Sequence, residues 1–274
     1  MGTSHRHTPT VAGEPNWGNS SKAVTSIAGD EKKSDELKEN PPAGLSSAQI
    51  AKKQQQLNSR ISKNYHRAVR NLVRAAGGRK KVSTGVSRAV GHAGVALIGG
   101  FVSAINDVVS NGLSEWLRRE GVSFSGKNCR DILNLIKSYI EIGITGLDNT
   151  AANEALECVF DEMEQKIGDD INAFDLAMGA IMTSDEIKNL LDMFFGMYIF
   201  SHLSQDFQEK LEYEKGVKVA NETMEEIKEL IMDDIRRNYS GRDASTVDWS
   251  SADGQAFIQK EFDRILYILS GNED

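Results

Sequence analysis

Residues 65–109 read YHRAVRNLVRAAGGRKKVSTGVSRAVGHAGVALIGGFVSAINDVV, and this stretch decides the fold. Tyr65, Val69, Leu72 and Val73 continue a helical spacing begun by Ile50, Leu57 and Ile61, with Ser46 or Ser47 as the N-cap. Arg67, Arg70 and Arg74 fall largely on the opposite face. Gly77-Gly78 then stops the helix, because glycine enters the left-handed conformation of a helix end at little cost. After the basic turn Arg79-Lys80-Lys81, Ser83 or Thr84 can cap a second helix over residues 85–109. Gly91, Gly94, Gly99 and Gly100 crowd it. A helical glycine costs about 1 kcal/mol relative to alanine, so these predict close helix contacts or a kink near Gly99-Gly100. This helix is expected at the centre of the fold.

Working outward, no strand-like alternation and no fixed repeat is found. All four prolines lie at or before Pro42, which leaves long helices open everywhere beyond. Apolar residues recur at helical spacing through residues 113–119, 128–142, 151–167, 169–182, 186–214, 217–239 and 251–269. The expectation is an all-α, irregular multi-helix globule of roughly eight helices. Residues 1–44 read as a disordered tail, rich in Ser, Thr, Gly, Asn and charge. Trp17 stands out within it as an anchor for a partner. The folded domain is residues 45–274, divided into a basic helical segment (46–88) and an acidic helical body (89–274).

The charge is uneven. The chain has 274 residues and a formal net charge of −8, yet no acidic residue lies between Glu39 and Asp107. That interval holds eleven Lys and Arg. Such asymmetry predicts an acidic partner for the basic segment: nucleic acid, another protein, or this chain's own acidic half. The surface is expected to include Arg67, Arg70, Arg74, Arg79, Lys80, Lys81 and Arg88.

No catalytic or metal constellation survives inspection, and no cofactor is expected. Residues 121–128, GVSFSGKN, approach a phosphate-binding loop, but a helix precedes them and Asn128 replaces the hydroxyl that such a loop places on Mg²⁺. The plainer reading is a helix end at Gly121 and a turn at Ser125-Gly126. His66 and His202 are singletons expected at a surface or a cap, and His92 is expected at a core or edge position. Cys129 and Cys158 read as buried free thiols, consistent with a reducing cytoplasm. No signal peptide is visible, and the apolar run 93–105 is short of the roughly 20 residues a membrane span needs.

The order of features resembles the QatB family, a component of the bacterial Qat anti-phage defence system. The resemblance rests on Met1-Gly2-Thr3-Ser4, Pro15-Asn16-Trp17, Tyr65, Gly77-Gly78-Arg79, Ser87-Arg88 before the Gly/Ala-rich helix, and a helix with Asp148, Ala151, Ala152 and Ala155. It implies a non-enzymatic role in a four-protein system beside an ATPase, a QueC-like enzyme and a TatD-like nuclease. It further implies that the QueC-like enzyme binds the N-terminal tail (Met1, Gly2, Thr3, Ser4, Trp17) and conjugates a 7-deazapurine base to a glycine. Gly2 matches the opening motif, and a glycine exposed by cleavage, such as Gly13, is the alternative. Two other readings stand beside it: a nucleic-acid-binding protein using residues 60–88, and a membrane-acting effector inserting residues 91–109.

Overall fold

The computed structural model describes residues 15–123, 126–140, 145–168, 173–182, 185–238, 244 and 247–271. Among these there are eleven helices and no strand. They are α1 (Pro15–Glu39), α2 (Ser47–Ala75), α3 (Arg79–Ser83), α4 (His92–Asn111), α5 (Leu113–Arg119), α6 (Cys129–Ile140), α7 (Leu147–Ile167), α8 (Phe174–Met182), α9 (Glu186–Lys215), α10 (Val217–Arg237) and α11 (Ala252–Leu269).

The centre is α9, not α4 as the sequence led us to expect. Leu190, Leu191, Phe194, Phe195, Tyr198 and Ile199 are buried on it, and it packs chiefly between α7 and α10. The stacked pair Phe195–Phe262, with ring centroids 4.1 Å apart, ties it to α11. A helix apolar on every side belongs inside, whereas α4 meets its neighbours through glycines. A Cβ on Gly94 would lie 2.7 Å from the Tyr198 ring, and one on Gly100 would lie 2.3 Å from Ile140. These are the close contacts that the small residues announced, and α4 runs from His92 to Asn111 without the expected interruption at Gly99-Gly100.

The start of α4 also differs from expectation. The chain forms the short α3, turns through Gly85 at φ +72°, and enters α4 only after Gly91 at φ +114°. A Cβ at Gly91 would sit 2.2 Å from the Val82 carbonyl oxygen, so no other residue fits there. Among the described residues α4 is the one helix long and apolar enough to cross a membrane, and half of that window is buried within the fold.

The largest correction concerns residues 15–39, which form a helix rather than a disordered tail. Proline at its first position needs no N–H partner and presets the backbone. Ala23, Val24, Ile27 and Ala28 are buried against α2, and burying Val24 and Ile27 stabilises the pairing by roughly 1.5–3 kcal/mol each. Polar contacts fix the register: the Ser20 hydroxyl donates to the Ala68 carbonyl at 2.8 Å, and Arg60 pairs with the buried Asp30 at 3.0 Å. Residues 1–14, with Met1, Gly2, Thr3, Ser4 and Gly13, lie outside the described residues.

Helix α2 begins with a capping box between Ser46 and Gln49. It ends as expected: the Gly78 N–H reaches the Val73 carbonyl at 2.9 Å and the Gly77 N–H reaches that of Arg74 at 3.1 Å, a Schellman end. Gly121 ends α5 in the same way, with Val122 N–H on the Leu117 carbonyl. Asn128 caps α6 by exchanging side-chain bonds with Asp131 at 2.8 and 3.0 Å. That accounts for an asparagine where a phosphate loop would need a hydroxyl.

Candidate functional site

The basic segment divides in two when folded. Its inner half docks on the chain's own acidic body. The Tyr65 hydroxyl donates to Asp234 at 2.6 Å, and burial together with that carboxylate raises the phenol far above its ordinary value. His66 faces Asp234 at 3.4 Å and the Leu269 carbonyl at 3.1 Å. Arg70 donates to the Ser270 carbonyl at 3.0 Å, so α2 supplies cations to the C-terminal carbonyls of α11, where the helix dipole favours them. Arg79 pairs with Asp263 at 3.2 Å and lies over the Tyr267 ring.

The outer half faces solvent. Lys63, Arg67, Arg74, Lys80, Lys81 and Arg88 are exposed, and none makes an ion pair among the described residues. Arg70, Arg74, Arg79 and Lys80 line a groove of about 630 Å³ closed on its far side by Lys260 and Asp263 of α11. Of the expected tail residues only Trp17 falls in a described element, the first turn of α1.

A buried network that the sequence did not reveal lies at the start of α4. Asp148, in the first turn of α7, accepts from the Ala93 N–H at 2.7 Å, the Gly91 N–H at 3.2 Å, His202 Nε2 at 3.1 Å and the Tyr198 hydroxyl. It therefore caps α4 from another helix. Burial would raise its carboxyl, but the bonds from His202, Tyr198 and Ala93 outweigh that and hold it below the usual carboxylate range. Tyr198 is raised well above its ordinary value by burial and by Asp148. The trio Asp148, Tyr198 and His202 is buried, with every Asp148 bond spent on positioning, so it fixes α4 on α7 and α9 rather than presenting a reactive group.

His202 is thus a core residue, not the surface or capping one expected. His92, in contrast, is exposed at an edge, bonded to the Gly85 carbonyl at 2.9 Å. Cys129 is buried and Cys158 only half-buried. Among the described residues no cluster of His, Cys, Asp and Glu could hold a metal.

A second buried set joins α9 to α11. Lys188 reaches Asp192 at 3.3 Å, while Arg264 bonds both Asp192 and Glu261, the latter at 2.8 Å. Two cations and two carboxylates in one buried cluster fix register more than they add stability.

A family model described as Qat anti-phage system associated protein QatB matches residues 77–269. The chain belongs to the QatB family. Membership makes it a component of the Qat anti-phage defence system, with partners in that same system. The match begins at the glycine pair that ends α2 and runs to the last residue of α11. The Asp148 network therefore lies in the QatB region, whereas α1 and α2 precede it. No curated protein and no solved structure matches the chain.

Proposed function

We propose that the chain is a non-enzymatic scaffold of the defence system, and that its N-terminal segment is the substrate of a QueC-like partner. In this reading the partner recognises Met1, Gly2, Thr3, Ser4 and Trp17 and conjugates a 7-deazapurine base to Gly2. The observation that carries it is the anchoring of α1. Because residues 15–39 are clamped along α2, the segment before them springs from a fixed point on the body. Thirteen residue steps lead from Gly2 to Pro15, and a fully extended chain of that length reaches about 45 Å. An enzyme docked on the hairpin within that radius meets the segment at a high effective concentration. The body serves as the docking platform, and the ATPase and the TatD-like nuclease act on or with the resulting complex.

The test is intact and peptide mass of the chain co-expressed with an active QueC-like partner. A mass gain confined to the peptide containing Gly2, and lost when the partner's active site is disabled, is the expected result. An unmodified, uncleaved N-terminal peptide beside an active partner would sink the proposal. A modification at Gly13 after cleavage would keep the substrate role and move the site.

A further inference from the structure

One face of α2 carries more positive charge than the fold or tail display uses. Lys53, Arg60, Lys63, Arg67, Arg70 and Arg74 are spaced by seven, three, four, three and four residues. At 3.6 residues per turn they form one row along the helix. From Lys53 to Arg74 the row is about 32 Å long at 1.5 Å per residue. Its first half borders a groove of about 720 Å³, where Lys33 of α1 joins it and no carboxylate contributes to the lining. Its second half borders the α2–α3–α11 groove, where Lys80 and Lys260 extend it and the lining carboxylate, Asp263, is paired with Arg79.

The row's partners are few. Arg60 pairs with Asp30, which is itself buried, and Arg70 reaches a backbone carbonyl. Lys53, Lys63, Arg67 and Arg74 make no ion pair among the described residues. Elsewhere the same chain neutralises its cations locally, as in Lys228–Glu225, Arg236–Asp233 and Lys210–Glu214. A row of cations held on a rigid helix, in a protein of net charge −8, is kept at a cost in self-repulsion and selects a polyanion.

We propose that this row is a docking track for the phosphate backbone of double-stranded DNA. Its length is close to the ~34 Å of one duplex turn. Single strands are held by exposed aromatic rings between the charges. The two aromatic rings of α2 are Tyr65, fully buried, and His66, held by Asp234 and the Leu269 carbonyl, while the exposed Tyr267 beside the row has Arg79 over its ring. Readout is thus electrostatic and independent of base sequence. The track lies before the region matched by the QatB family and does not depend on modification of the tail.

The experiment is fluorescence anisotropy of a labelled 20-base-pair DNA duplex of mixed sequence with the isolated full chain. With five phosphate contacts, from Lys53, Lys63, Arg67, Arg74 and Lys80, raising salt from 50 to 200 mM should weaken binding about 500-fold, a slope near −4.5. The variant Lys63→Gln/Arg67→Gln/Arg74→Gln removes three contacts and should lower the slope by about 2.7. These exposed side chains bond nothing among the described residues, so thermal unfolding of the variant should match the parent. Lys218→Gln, on α10, should leave binding unchanged. Undetectable binding at 50 mM salt, an unaltered slope in the triple variant, or tighter binding of single-stranded DNA or duplex RNA would overturn the assignment. Equal or tighter binding of poly-glutamate would also overturn it, and would point to an acidic protein partner.

Discussion

Replacing Asp148 by Asn tests whether the buried network organises the body. The change keeps the shape and removes the charge. Asp148 now accepts from four donors, two of them backbone N–H groups at the start of α4. Asparagine offers one acceptor oxygen, and its NH₂ group must face at least one of those donors. A buried donor left without a partner costs about 1–3 kcal/mol. Each remaining bond falls from charge-assisted to neutral strength, a loss of about 1 kcal/mol apiece. The sum, about 4–6 kcal/mol, is at the upper end of what breaking a buried charge network costs. For a chain of this size it corresponds to a fall of about 10 °C in Tm. Urea unfolding followed by circular dichroism at pH 7 should show a lower midpoint at an unchanged m value. Tyr198→Phe keeps the ring against Gly94 but removes a donor to Asp148 and an acceptor of the Gly91 N–H, so it should cost about 1–2 kcal/mol. The double variant should deviate from additivity by about 1 kcal/mol or more. The pH dependence has a definite sign. A carboxyl depressed in the folded state contributes stability above its unfolded value, near 4, and loses it as pH falls through the folded value. The penalty of Asp148→Asn should therefore be full at pH 7 and shrink below about pH 4. A variant within about 0.5 kcal/mol of the parent at pH 7 would refute the capping role, since that is the spread of inert surface changes.

Three further outcomes are expected. Glu31 on α1 faces Thr223, Glu222 and Glu226 of α10 with Asp35 beside it, and burial followed by these carboxylates pushes its pKa up to about 7. A carboxyl raised in the folded state binds a proton that the unfolded chain has released, so stability falls as pH rises from about 4.5 to 7. Glu31→Gln should then stabilise by about 1–2 kcal/mol at pH 8, discounted for its partial exposure, and have little effect at pH 4. Gly29→Ala, at a helical position of α1 where a new methyl meets nothing within 4 Å, should stabilise by about 0.5–1 kcal/mol. A null effect there would mean that residues 15–39 do not hold the helix. Gly91→Ala must adopt φ +114° and overlap the Val82 carbonyl, so it should destabilise by roughly 2–5 kcal/mol in the same unfolding assay.

The elements visible in the sequence were those whose cause is local. The glycine pair that ends α2, the serine N-cap at its start and the helical spacing through α9 each arise from residues a few positions apart. The helix 15–39 did not show, because around Val24 and Ile27 its docking face is built from Ser20, Ala23, Ala28, Asp30 and Ser34. Two large apolar residues among small and polar ones give a weak helical pattern, and such a face is stable only against a partner helix of matching shape. The short α3 and the delayed start of α4 follow from Gly91 lying under the Val82 carbonyl, a tertiary contact that leaves no periodic trace. His202 looked solitary because its partner Asp148 is 54 residues away. The basic segment looked uniform, although Tyr65, His66, Arg70 and Arg79 answer to Asp234, Ser270 and Asp263 near the other end of the chain.

The glycine pair also proves to be a boundary of a second kind. It ends the hairpin of α1 and α2, and the family match begins there. The N-terminal segment and the cationic row of α2 lie on the hairpin side, with Lys80 and Lys260 extending the row onto the body. Everything that sets the shape of the body lies on the other. Arg79 and Ser83 of α3 grip Asp263 of α11, while His66 and Arg70 of α2 grip the end of that same helix. Helix α11, together with α10, where Asp234 holds Tyr65 and His66, therefore sets the orientation of the hairpin on the body. A body loosened at Asp148 or Gly91 should display its N-terminal segment less well without any change in the segment itself. In the co-expression assay, the Asp148→Asn chain should accordingly be modified more slowly than the parent, while a free peptide of residues 1–14 should not distinguish a partner prepared with either chain.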